Sequence, residues 1–166
     1  MSSKGKKIFL ALTIVVPFII YCVIYYRPIL KNAPFRKADF VSMQYKWGVK
    51  DTLENQYNSV DGKYQYVNSR DSLISKTVFL KNDDVLYMHG KANEIGLWNF
   101  PDTIGVKSAK SMSIPRYDIT FNYKEKSKHV VIYGDFDGNP KLLDAAMQMR
   151  KVIEETLNQA EKRSGK

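Results

Sequence analysis

Cysteine and histidine are scarce in this chain, and their scarcity excludes several kinds of site. The one cysteine, Cys22, lies inside a long apolar run. The rest of the chain therefore has no disulfide, no cysteine metal site, no redox-active dithiol and no Cys-x-x-Cys-His haem attachment. A zinc site needs three or four ligands. The two histidines, His89 and His129, are accordingly expected to be ordinary, partly exposed side chains.

Motifs for catalysis and phosphate binding are also missing. The nine glycines are scattered, so no glycine-rich loop can cradle a phosphate group. No Gly-x-Ser-x-Gly sequence forms the tight turn of a serine nucleophile. Asp71, Asp118 and Asp137 offer carboxylates for acid–base chemistry, but any chain with 17 acidic residues contains such pairs. We predict no catalytic residue, no metal and no cofactor.

The sequence does contain an uncharged run from Ile8 to Tyr26. As a helix this run extends roughly 28 Å, close to the thickness of about 30 Å of a bilayer hydrocarbon core. Pro17 near its middle is tolerated in a transmembrane helix. No small-residue cleavage site follows the run. We predict a short basic tail at residues 1–7 and an uncleaved transmembrane signal-anchor at residues 8–26. Signal cleavage, lipidation of Cys22 and a buried core helix are the alternatives.

The net charge of +9 gives the chain a basic surface. Solvation or attraction to anionic lipid headgroups explains such a surface, and no motif supports nucleic-acid binding. Cations flank both sides of the apolar run in nearly equal number. A short tail before a signal-like run normally stays in the cytoplasm, so we expect an extracytoplasmic, periplasmic domain in a bacterial envelope.

Proline content and alternation predict the organisation of the remaining chain. Residues 27–38 hold two prolines and four cations, which indicates a semi-extended stalk. Residues 39–161 form one domain, and residues 162–166 form a basic tail that frays. Alternation of apolar and polar side chains predicts the strands, and turn residues separate them. The predicted strands are 39–47, 56–59, 63–68, 73–80, 116–123 and 129–133, and 101–113 is predicted to be a connection.

Two helices are predicted by apolar spacing and capping residues. The shorter helix begins with Asn82 as N-cap and ends at Gly96. The long C-terminal helix begins at Asn139 and Pro140 and runs to about Glu161. Its outward-facing side is predicted to carry Arg150, Lys151, Glu154 and Glu155. The fold class is α+β: a five- to six-stranded antiparallel sheet, a shorter helix between strands and the long C-terminal helix on one face.

Asp135, Asp137 and Asn139 resemble the opening of a calcium-binding loop. Calcium loops converge hard oxygen ligands on one cation and need a glycine and a closing glutamate further on. Pro140 and Ala146 occupy those two positions. The same residue types suit a turn that leads into a helix N-cap, which is the interpretation we favour.

The chain is rich in aromatic residues, with eleven tyrosines and two tryptophans. Tyrosine combines a large contact area with a polar tip, which suits a protein or glycan interface. We predict an interaction surface formed by Tyr57, Tyr64, Tyr66, Trp98 and Phe100. The alternative is that the tyrosines line the solvated face of a sheet.

These observations favour a membrane-anchored accessory or interaction domain that binds a partner protein or belongs to a membrane complex. A small-ligand binding domain, with a pocket between the sheet and the last helix, is the alternative. An envelope hydrolase is disfavoured. It would require a cleft in which at least two acidic or histidine side chains converge. The candidates are Asp118, Asp135, Asp137, His89 and His129.

Overall fold

The computed structural model describes residues 3–32, 35–49, 53–105, 114–135 and 138–165. The chain divides into two compact units, Met1–Pro34 and Phe35–Lys166. The first unit holds helix α1, Ser3–Asn32. The second unit holds every described strand and two further helices.

Helix α1 is apolar and exposed along most of its length. Its segment Phe9–Arg27 has a mean hydropathy of 2.3 and no buried side chain. This segment is long and apolar enough to cross a membrane, although a signal sequence has the same character. The helix continues to Asn32, so the first part of the predicted stalk is helical. Leu30 and Lys31 there are good helix formers.

The second unit is a seven-stranded sheet with two helices. The strands are β1 Phe40–Val49, β2 Asn55–Asn58, β3 Lys63–Val67, β4 Leu73–Thr77, β5 Thr103–Ile104, β6 Pro115–Tyr123 and β7 Ser127–Tyr133. The helices are α2 Asn82–Ile95 and α3 Pro140–Ser164, with short 3-10 helices at Lys37–Asp39 and Leu97–Asn99. The strand order is β4-β3-β2-β1-β6-β7-β5.

The predicted α+β class is confirmed, but the sheet differs in strand number and direction. It has seven strands rather than five or six, and it is mixed because β5 pairs with β7 in parallel. Strand β5 lies within the segment that was predicted to be a connection. A strand of two residues is too short to show alternation, so sequence periodicity cannot detect it.

Both helices pack on one face of the sheet. In β1, Met43 and Tyr45 are buried, whereas Lys46, which follows Tyr45, is exposed. Alternation of this kind is typical of a strand with one buried face. Helix α3 supplies Met149 and Ile153 to the same core. The fully buried large side chains include Met43, Tyr45, Tyr57, Met88, Leu97, Ile119, Phe121, Ile132, Met149, Ile153 and Leu157.

Capping residues fix the end of α2 and the start of α3 as predicted, but α3 continues to Ser164, so residues 162–164 of the predicted frayed tail are helical. Gly96 ends α2 in the left-handed conformation, with φ of 79°. Asn139 caps α3, its side chain accepting a hydrogen bond from the Lys141 N–H at 3.0 Å. The N-cap of α2 is Lys81 rather than Asn82, because the Asp84 carboxylate accepts the Lys81 N–H at 2.8 Å.

The antiparallel registers define two ends of this sheet. Phe40 pairs with Tyr123 and Val49 pairs with Pro115. The entry end, where β1 begins, therefore also carries the β6–β7 turn and the β2–β3 turn at residues 59–62. The distal end, where β1 finishes, carries the start of β6.

Candidate functional site

The aromatic residues predicted to form an interaction surface belong to the core instead. Tyr57, Tyr64, Trp98 and Phe100 are buried, and Tyr66 is partly buried. Register explains the tyrosines, because Tyr45, Tyr57 and Tyr64 are paired across β1, β2 and β3 on the face that the helices cover. The prediction of an exposed aromatic patch at these positions was therefore wrong, because the residues form a packed layer under α2 and α3.

Three tyrosines of this layer donate a hydrogen bond from their hydroxyl group to a polar acceptor. The Tyr45 hydroxyl donates to Glu154 at 2.8 Å, and the Tyr66 hydroxyl donates to Glu161 at 2.9 Å. The buried Tyr57 hydroxyl donates to the Val78 carbonyl at 3.1 Å. Burial raises the pKa of all three tyrosines above the usual value. These hydroxyls stay protonated and act as structural donors.

A second aromatic cluster encloses His89, which is 7% exposed and not the partly exposed side chain that was predicted. Its Nδ1 lies 2.7 Å from the Tyr123 hydroxyl. Burial first, and the charge of Lys37 second, lower the pKa of His89. Phe35 stacks on Trp98 with ring centroids 4.5 Å apart and meets Tyr123 edge-on. This cluster anchors the first residue of the second unit in the core.

Among the described titratable residues considered for hydrolysis, His89 lies apart from Asp118 and His129, which are diagonal neighbours on β6 and β7. Asp118 accepts two hydrogen bonds from Arg116, at 2.8 and 2.7 Å. Thr120 pairs with His129, on the sheet face opposite to His89. Asp71 lies in the β3–β4 turn with φ of 54°. Within the described ranges, no three His, Cys, Asp or Glu side chains are placed to hold a metal ion.

The stretch that resembles a calcium loop is described only in part. Asp137 lies outside the described residues, as does Phe136. Asp135 is exposed in the turn after β7. Asn139 uses its side-chain oxygen to cap α3, as the turn interpretation predicted. Asn139 therefore serves the start of the helix.

The sheet face that points away from α2 and α3 carries mostly polar side chains, and we name it the open face. Its polar residues are Gln44, Lys46, Gln56, Asn58, Arg116, Asp118, Thr120, Asn122 and His129. Val131 and Tyr133 of β7 lie on the same face, and Ser42 is buried there. Neighbouring strands bring these side chains into rows. Gln44 lies between Asn58 and Thr120, and Lys46 lies opposite Asp118. The open face thus presents amides, hydroxyls and both signs of charge across four adjacent strands.

A cleft of about 420 Å³ lies at the distal end. It is lined by Trp47, Gly48, Val49, Glu54, Asn55, Pro115 and Tyr117. The Trp47 ring stacks on Tyr45 with centroids 4.7 Å apart. The Asn55 side chain already makes two hydrogen bonds: it donates to the Trp47 carbonyl and accepts from the Val67 N–H. The cleft therefore offers two aromatic rings and the Glu54 carboxylate.

Arg150 of α3 lies beside this cleft. Its guanidinium carbon is 5.0 Å from the Tyr117 ring centroid, and its Nη1 donates to Glu154 at 3.2 Å. Its Nε is buried and has no hydrogen-bond acceptor among the described residues. Arg150 and Glu154 were predicted to face outward but are partly buried. One signal in the sequence could have indicated the partial burial of Glu154: a tyrosine on the buried face of a strand, such as Tyr45, needs a hydrogen-bond acceptor for its hydroxyl.

The chain matches no family model and no curated protein. Its functional interpretation therefore rests on three features of its own structure: the exposed helix α1, the open face and the distal cleft.

Proposed function

We propose that this chain is a single-pass membrane-anchored accessory domain of the cell envelope that binds a partner protein. The observation that carries the proposal is the exposed apolar surface of α1. None of the segment Phe9–Arg27 is buried, and large side chains such as Phe18 and Ile24 are exposed along it. Each such side chain gains about 1.5–3 kcal/mol on removal from water, so a bilayer stabilises this helix strongly.

The length of the apolar segment favours an anchor over a cleaved signal. Its 19 residues exceed the 7–15 residues typical of a signal-peptide apolar region. A short N-terminal tail before such a helix favours a cytoplasmic N-terminus and a periplasmic second unit. In this orientation the second unit lies on the extracytoplasmic side.

The open face is the surface we assign to the partner. Its side chains, such as Gln44, Lys46 and Thr120, offer donors and acceptors about 4.8 Å apart from strand to strand. Non-obligate protein–protein interfaces are about as polar as the rest of a protein surface. The exposed Lys46 ammonium would favour a partner that places an acidic side chain opposite it, through electrostatic complementarity.

Site-specific cross-linking in the natural host tests this assignment. A photoreactive amino acid at Gln44, on the open face, is expected to give a discrete cross-linked adduct in membranes that contain the full-length chain. The matched control carries the same amino acid at Lys151, an exposed position of α3. No adduct at Gln44, or the same adducts from both positions, would contradict partner binding by the open face.

A small-ligand binding domain is the second candidate, and the distal cleft favours it. Trp47 and Tyr117 provide aromatic surfaces, and Arg150 beside them retains a buried N–H donor without an acceptor among the described residues. A ligand bound there would change the fluorescence of Trp47, whereas a partner on the open face would leave the cleft unoccupied. The separation of His89 from Asp118 and His129 gives an envelope hydrolase no support.

A further inference from the structure

We propose that the entry end of the second unit rests on the headgroups of an anionic bilayer, with Val60 and Phe79 in contact with the headgroup layer. This inference rests on the proposed function, because it requires α1 to span that bilayer. It assigns the lipid surface as a second contact of the domain, separate from the open face.

The first evidence is a pair of exposed apolar side chains at the entry end. Val60 is 69% exposed at the tip of the β2–β3 turn, and Phe79 is 62% exposed just after β4. Both flank Gly62, where a β-carbon would approach the Phe79 Cε1 to 2.9 Å. The Phe79 ring therefore lies against the turn backbone while most of its surface remains available to lipid.

Local hydrogen bonds hold the β2–β3 turn in one conformation. The Val60 N–H donates to the Asn58 side chain, and the Lys63 N–H donates to the Asp61 side chain, both at 3.0 Å. Gly62 adopts φ of 69°, which suits glycine. An ordered turn loses little conformational freedom when it contacts a surface.

Charge at the entry end complements anionic lipid. Exposed cations outnumber exposed acids there: Arg36, Lys63, Lys81, Lys124 and Lys126 against Asp61, Asp83 and Glu125. Partly buried Asp39 neutralises Arg36, with which it pairs at 2.8 Å, and it lies 3.8 Å from Lys124. The remaining exposed charges are four cations, Lys63, Lys81, Lys124 and Lys126, against three acids. Basic residues close to a membrane are attracted to acidic headgroups within about a Debye length.

The chain between the apolar segment of α1 and the second unit is short. The apolar segment finishes at Arg27 and α1 at Asn32. About five further helical residues rise about 8 Å, comparable to the headgroup layer of a bilayer. Only two residues then precede Phe35, which is fixed in the core against Trp98. A bilayer spanned by α1 would therefore lie within a few residues of the entry end.

Lipid quenching of a site-specific fluorophore tests the inference. The full-length chain with Cys22→Ser carries an environment-sensitive dye at Val60→Cys, reconstituted in vesicles that contain phosphatidylglycerol and a nitroxide-labelled lipid. The control carries the dye at Val49→Cys, a valine 47% exposed at the distal end. We expect at least about twofold stronger quenching at position 60, and a decrease when phosphatidylcholine replaces phosphatidylglycerol.

Equal quenching at the two positions would overturn the inference, and quenching that ignores lipid charge would overturn its anionic part. Flotation of the same vesicles after an alkaline wash separates these outcomes from failure of the anchor. A chain that floats without selective quenching refutes the lipid contact alone. A chain that washes off refutes both the anchor and the contact.

Discussion

At the residue scale, the tyrosines of the core keep their hydroxyl groups hydrogen-bonded. The rings of Tyr45, Tyr57 and Tyr66 pack under the helices, and each hydroxyl donates a hydrogen bond to a carboxylate or a carbonyl. The sequence alternation shows which residues of a strand share a face, but it cannot show which face the helices cover. That information comes only from tertiary packing, which is why the tyrosines were predicted to be exposed.

The His89 imidazole makes stability depend on pH. Its pKa is lowered in the folded chain, mainly by burial, from 6.5. Below 6.5 the unfolded chain binds a proton more readily than the folded chain, so the free energy of unfolding decreases from there towards the folded-state pKa. Above 6.5 this contribution is complete. Urea unfolding of the full chain in detergent at about pH 7.5 and about pH 5.5 measures the decrease.

Two variants separate His89 from other titrating groups. His89→Gln should flatten the pH dependence, because the buried proton-binding group is gone. His129→Gln removes an exposed histidine instead, and this variant should keep the pH dependence of the free energy of unfolding. An unchanged decrease in His89→Gln would show that other groups cause it.

At the element scale, capping residues predicted the helices better than periodicity predicted the sheet. Gly96 and Asn139 carry local signals that operate within one turn of chain. Strand β5 forms only because Thr103 and Ile104 meet β7, a contact between distant segments. Local chemistry therefore sufficed for the end of α2 and the start of α3, whereas the seventh strand and its parallel direction required the assembled sheet.

Two glycines, Gly90 inside α2 and Gly96 at its C-cap, should respond in opposite directions to alanine. Gly96→Ala forces a β-carbon into the left-handed conformation and should cost about 1–2 kcal/mol. Gly90→Ala lies in the helix, where a β-carbon meets nothing within 4 Å, and should stabilise by about 0.5–1 kcal/mol. Urea unfolding midpoints measure both. The C-cap assignment is contradicted if the two variants shift the midpoint in the same direction.

At the scale of the whole molecule, the chain combines an exposed apolar helix with a domain whose two sheet faces differ in character. The apolar run and the α+β class were readable from composition and alternation, because both depend on sequence-local patterns. The open face and the distal cleft were not, since each gathers residues from strands far apart in the chain. Gln44 and Thr120, for example, become neighbours only through the pairing of β1 with β6.

The most direct test of the account is labelling of intact host cells that express the full chain with Cys22→Ser and Lys151→Cys. The substitution removes the one native cysteine, so a membrane-impermeant maleimide reports the location of α3 alone. The account predicts labelling before lysis, on a product of full-length mass that remains with the membrane after an alkaline wash. Labelling only after lysis, or a shortened soluble product, would contradict an uncleaved anchor with an extracytoplasmic domain.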